Sequence, residues 1–137
     1  MRLDLYLAET RTLAARQKSV LDVAANRLKT GDRLSELEQN GVLHALQLLI
    51  ENAIGKAKHI LKAHSLPVPV SAYDAFRDLA AMSRSAITDL EQWYSIIGLR
   101  NRIVHDYLNL DMQHVLRLVS NNAHMFIYDF LVADVEI

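Results

Sequence analysis

In the run Arg100-Asn101-Arg102-Ile103-Val104-His105-Asp106-Tyr107, Arg100 and His105 stand five residues apart. They are the residue types that acid/base chemistry on a phosphate ester requires. An imidazole takes up and releases protons near neutral pH, and a guanidinium offers a permanent positive charge whose fork matches phosphate oxygens. At about 100° per residue, Ile96, Ile97, Leu99, Ile103, Val104, Tyr107 and Leu108 cover roughly half of a helix's circumference, and Arg100 projects near the middle of that apolar arc. A guanidinium placed there needs a carboxylate, carbonyls, a phosphate or a wet interface. An ion pair with an Asp or Glu at the core edge and a phosphate site both satisfy it, and spacing does not choose between them.

His105 falls about 140° around the helix from Arg100, and Asn101 about 40° from His105, so the three line one rim. Two copies of this helix facing each other would gather two Arg and two His around one phosphate, because a two-fold interface presents the same patch from both sides. By itself His105 reads more readily as a surface histidine, and Tyr107 as an amphipathic core-edge residue. Arg102 points away from the apolar arc, which suits a phosphate contact rather than a catalyst.

Outside this run, Lys56, Lys58, His59, Lys62 and His64 form a basic cluster. It suits guidance of RNA or contact with an acidic partner, but compensation of a helix C-terminal dipole explains it more simply. The His residues at 44, 59, 64, 105, 114 and 124 contain no Glu-embedded pair at metal-ligand spacing, so neither a metal nor another cofactor is expected. There is no Gly-rich phosphate loop and no Ser-centred elbow, which leaves nucleotide hydrolysis and acyl transfer without support.

The elements that must position Arg100 and His105 are helical. The chain of 137 residues has 51% hydrophobic and 23% charged residues, the balance of one folded domain over residues 1–137, and only 4 Gly and 2 Pro, too little punctuation for a multi-strand fold. No Cys is present, which removes disulfides and thiolate chemistry and fits a cytoplasmic location. Met1 to Tyr6 lacks the apolar run of a signal peptide, and no stretch is apolar enough to span a bilayer. A formal net charge of −1 gives no long-range attraction to nucleic acid, so any RNA contact must be local.

Apolar periodicity predicts a first helix from Leu3 to about Lys29, with Leu7, Ala14, Leu21, Ala24 and Leu28 on its stripe, widened by Tyr6, Leu13 and Val20, and Gly31 as its cap. A second helix runs to about Lys62 and starts either at the Ser35/Glu38 capping box or after Asn40-Gly41. After the break at Leu66-Pro67-Val68-Pro69, Ser71 caps a short helix to about Met82. Thr88 with Glu91 opens a fourth, carrying Trp93 and Arg100 to about Leu108. Asp111 then caps a fifth from Met112 through Phe130 and Leu131, and Asp129, Asp134 and Glu136 form a solvated end. The expectation is a single up-and-down bundle of about five helices.

The run from Arg100 to Tyr107 closely resembles the Arg, four residues, His, one residue, Tyr motif of the HEPN toxins called HepT. Trp93, Gly98-Leu99, Ser71-Ala72-Tyr73-Asp74-Ala75-Phe76 and Ile54-Gly55-Lys56-Ala57-Lys58-His59-Ile60 are similar to the same family, so the likeness spans about residues 40 to 115. The resemblance implies a HEPN-like homodimer with the motifs meeting at its interface and a metal-independent endoribonuclease, with Arg100 and His105 catalytic and Asn101 and Arg102 supporting. It further implies a nucleotidyltransferase antitoxin that attaches AMP to Tyr107. The alternative is a non-catalytic binding or scaffold subunit of such a nucleotidyltransferase.

Overall fold

The computed structural model describes residues 3–82, 85 and 87–135. Over these residues the chain forms six α-helices, α1 (Leu3–Lys29), α2 (Glu36–Ala63), α3 (Ala72–Ala80), α4 (Leu90–His105), α5 (Met112–Ser120) and α6 (Met125–Val132), with a 3-10 turn at Tyr107–Asn109 and no strand. The all-helical expectation holds.

Each boundary has a local cause. α2 starts at the capping box: Ser35 Oγ accepts from Glu38 N–H at 3.1 Å while the Glu38 carboxylate accepts from Ser35 N–H at 2.8 Å, so Gly41 lies inside the helix. α1 ends in a Schellman motif in which Gly31, at φ +87°, donates to Leu28 and Asp32 donates to Arg27. α2 closes the same way around Ser65 (φ 59°). The expected fifth helix is two helices, because Asn122 (φ 58°) takes the left-handed conformation. It donates to Val119, Ala123 donates to Leu118, and the chain turns before α6.

One buried cluster draws on all six helices, among them Leu21, Leu49, Ile50, Ala53, Phe76, Ile97, Val115 and Leu131. α1 and α2 pack side by side; α3 and α4 lie against α2, and α5 and α6 against α1. Tyr6 of α1 stacks on His59 of α2 with ring centroids 3.7 Å apart, and Gly55 makes room for it, since a Cβ there would meet the Tyr6 hydroxyl at 3.0 Å. The stripe of α1 is narrower than expected: Val20 and its neighbour Val23 are exposed, beside a groove of about 200 Å³ also lined by Leu34 and Val42.

Candidate functional site

α4 is fixed at its start. Asp89 accepts from Gln92 N–H at 3.1 Å, so the cap is this carboxylate and not the expected Thr88. One turn on, Trp93 stacks on Phe76 of α3 at 4.4 Å and meets Phe126 and Phe130 of α6 edge-on, each at 5.0 Å. Ile96, Ile97, Leu99 and Ile103 continue the buried face.

The end of α4 is open. Arg100 keeps 27% of its side chain exposed and turns to α2, where Nη2 lies 3.4 Å from Glu51 Oε2. Its Nη1 donates to Asn101 Oδ1 at 3.0 Å, and its Nε is buried without a hydrogen-bond partner. The core-edge ion pair anticipated as one solution for Arg100 is therefore present. Glu51 is itself held, accepting from Gln47 Nε2 at 3.2 Å one turn earlier on α2.

The helix stops at His105, three residues earlier than the periodicity predicts. Asp106 leaves helical geometry (φ −144°, ψ 43°), and its carboxylate accepts from Asn109 Nδ2 at 2.8 Å, which starts the 3-10 turn. Val104, Tyr107 and Leu108, expected to face other helices, are exposed, Leu108 by 95%. Tyr107 is 51% exposed and donates its hydroxyl to Asn40 Oδ1 of α2 at 3.2 Å.

The structure thus brings Arg100 to Asn101 and to Glu51, the last unforeseen. It does not bring His105 to them: the His105 side chain is exposed and makes no hydrogen bond or ion pair among the described residues. Arg102 is exposed as well.

The basic cluster near the end of α2 is not one surface. Lys56 is 1% exposed, and its Nζ donates to the carbonyls of Phe130 (2.6 Å), Leu131 (3.2 Å) and Ala133 (2.7 Å), so it caps α6 rather than its own helix. Burial pushes its ammonium down to about 8; the Arg11 charge adds to the shift and Asp134 opposes it. Lys58 donates to Val70 O at 2.8 Å, and His59 Nδ1 lies 2.8 Å from Gly55 O. The acidic end is solvated as expected over its described residues: Asp129 is exposed, and Asp134 keeps 99% of its side chain in water while it contacts Arg11 at 3.0 Å; Glu136 lies outside the described residues.

A second polar group joins α1 to the start of α6. His124, 1% exposed, lies with Nε2 2.9 Å from Asp22 Oδ1, and Lys18 also contacts that carboxylate. Burial acts to raise the Asp22 carboxyl, but the hydrogen bonds from His124 and Lys18 outweigh it and hold the group below the usual carboxylate range. Among the described residues, no group of three or more His, Cys, Asp or Glu has metal-holding geometry, and no helix is long and apolar enough to cross a membrane.

Known proteins share this architecture. A family model described as ribonuclease HepT-like matches residues 15–130. The mRNA nuclease HepT of Shewanella oneidensis is 32% identical over 88 residues, which is 64% of this chain and 66% of that relative. The solved structure of the tri-AMPylated Shewanella oneidensis HEPN toxin in complex with MNT antitoxin superposes with a TM-score of 0.77 at 24% identity over 96% of each chain. A solved toxin-antitoxin with AMP-PNP gives 0.75 at 24% identity over 96% of this chain and 99% of that one. The last two show a common fold, and the match over residues 15–130 carries more: the chain belongs to the ribonuclease HepT-like family.

Proposed function

We propose that this chain is the toxin of a toxin-antitoxin pair, a cytoplasmic homodimer that cleaves RNA without a metal through Arg100 and His105. The observation that carries the reading is the open end of α4, where a half-buried, held guanidinium precedes by five residues an imidazole with no protein partner among the described residues. Five residues of helix separate them by about 140°, so one helix does not aim both at a single phosphate. Pairing of two copies through the exposed Val104 and Leu108 supplies the missing groups.

In the reaction, His105 takes the proton of a ribose 2′-hydroxyl and the 2′-oxygen bonds to the adjacent phosphorus. The bond to the 5′-oxygen breaks, and that oxygen leaves with a proton from an imidazolium. Arg100 stabilises the charge on the non-bridging oxygens, and Asn101 and Arg102 support the substrate. The products are a 2′,3′-cyclic phosphate and a 5′-hydroxyl. A nucleotidyltransferase antitoxin that attaches AMP to the exposed Tyr107 hydroxyl would add negative charge beside the site and repel RNA.

Purified protein incubated with RNA in EDTA is expected to leave 2′,3′-cyclic phosphate ends, and His105→Ala to lose about 10²-fold or more of that rate. RNA left intact under all conditions would remove the proposal. The pairing of Arg100 with Glu51 favours a second reading, an RNA-inert subunit that scaffolds the nucleotidyltransferase. Capture of that partner by a dimer inert toward RNA would select it.

A further inference from the structure

We infer that Glu51 is a positioning residue for Arg100, holding the guanidinium in place for the scissile phosphate. The inference rests on the ribonuclease reading of the α4 end.

Arg100 leaves α4 from an apolar stretch flanked by the buried Leu99 and Ile103, and on its own helix only Asn101 hydrogen-bonds to its head among the described residues. A long side chain in that situation keeps much of its rotamer freedom, and a loosely held cation stabilises a transition state poorly. Glu51 supplies the second anchor from a different helix, at 3.4 Å from Nη2, and Gln47 fixes Glu51 in turn at 3.2 Å. α2 is an apt base because Leu49, Ile50 and Ala53 beside Glu51 are wholly buried.

The donor count leaves the guanidinium usable. Four N–H bonds sit on its two terminal nitrogens; Asn101 takes one from Nη1 and Glu51 one from Nη2, so each nitrogen retains one. Two such donors are what a phosphate accepts in a bidentate contact. With 31% of the Glu51 side chain and 27% of that of Arg100 exposed, the pair lies where a ligand can reach it without unfolding the core. The carboxylate's own charge opposes phosphate binding, so the competing role is an electrostatic brake, and kinetics separate the two.

The test is Glu51→Gln, which keeps the shape and removes the charge. In the absence of RNA, ¹⁵N spectra of the wild-type chain are expected to show slowed guanidinium rotation for Arg100, and Glu51→Gln to abolish it. With RNA, kcat is expected to fall about 10-fold with KM within about twofold. Gln47→Leu, which removes the support and leaves the carboxylate, should give a smaller fall in the same direction. An Arg100 signal that ignores the substitution, or a Glu51→Gln variant with lower KM and undiminished kcat, would overturn the inference. A wild-type chain that cleaves no RNA, with the Arg100 signal still dependent on Glu51, would sink the ribonuclease reading and leave the hold of Glu51 on Arg100 intact.

Discussion

The two halves of α4 are built to opposite rules. Its first turns carry Trp93 among Phe76, Phe126 and Phe130 of two other helices, with its three ring contacts at 4.4, 5.0 and 5.0 Å. Its last turns carry Arg100, Arg102 and His105 on an edge that opens to solvent, followed by a 3-10 turn whose Leu108 touches water over 95% of its surface. A single helix links them, so the aromatic end fixes direction while the polar end is left free of packing that would occlude it. Stability and activity should therefore respond separately to substitutions about three turns apart.

The largest expected effect is at the closed end. Trp93→Ala removes the ring at the centre of the aromatic group and should cost about 3–5 kcal/mol in urea unfolding, the range for a buried Trp or Phe truncated to Ala. The contrasting substitution at the open end, His105→Ala, should leave the unfolding midpoint nearly unchanged while removing RNA cleavage. If both lowered stability alike, the division of α4 would be wrong.

Lys56 extends the contrast, because a basic residue from a sequence cluster proves to belong to the closed side. Lys56→Met leaves three carbonyls at the end of α6 without their donor, offset in part by the desolvation that burying an ammonium incurs, and a net loss of about 1–3 kcal/mol is expected. The pH dependence fixes the sign. Since the folded-state value of about 8 lies below the ordinary 10.5, the unfolded chain binds the proton more tightly, so stability from this group rises as pH climbs from about 8 toward about 10.5. Denaturation curves at pH 7 and 9.5 should show wild type gaining on Lys56→Met; the opposite trend would mean that the carbonyls hold the proton more firmly than water does.

How far the sequence reached follows from the range of each interaction. Most features set within four residues were legible: the Ser35/Glu38 box as one of two starts for α2, the Gly31 cap, Ser71 and Asp111 as caps, and the apolar face of α2, whereas Asp89 caps α4 one residue after the expected Thr88. The left-handed caps at Ser65 and Asn122 were not, because a residue other than Gly takes that conformation only when the Schellman bonds and neighbouring packing hold it there. Asn121-Asn122 was the one local sign that the last helix divides. Glu51 meets Arg100 across 49 positions, Asp22 meets His124 across 102, and Lys56 reaches α6 across 74 or more. No periodicity within a helix encodes such pairings. Periodicity also placed Val104, Tyr107 and Leu108 inward, since it registers apolar character and cannot tell a face that meets its own core from one that meets another molecule.

That last confusion yields the smallest expected change in folding and a direct test of the open half. Leu108 gives up almost no surface to its own chain, so Leu108→Ser should move the stability of the dilute protein by no more than about 0.5 kcal/mol in either direction. An apolar side chain held in water beside Val104 and Tyr107 is what an interface residue looks like before its partner arrives. Sedimentation over a concentration series should accordingly show weaker self-association for Leu108→Ser than for wild type, with cleavage falling in step with the dimer population. A variant that associates and cleaves like wild type would exclude Leu108 from the surface where two copies meet, and the pairing that gathers Arg100 and His105 would have to use another face.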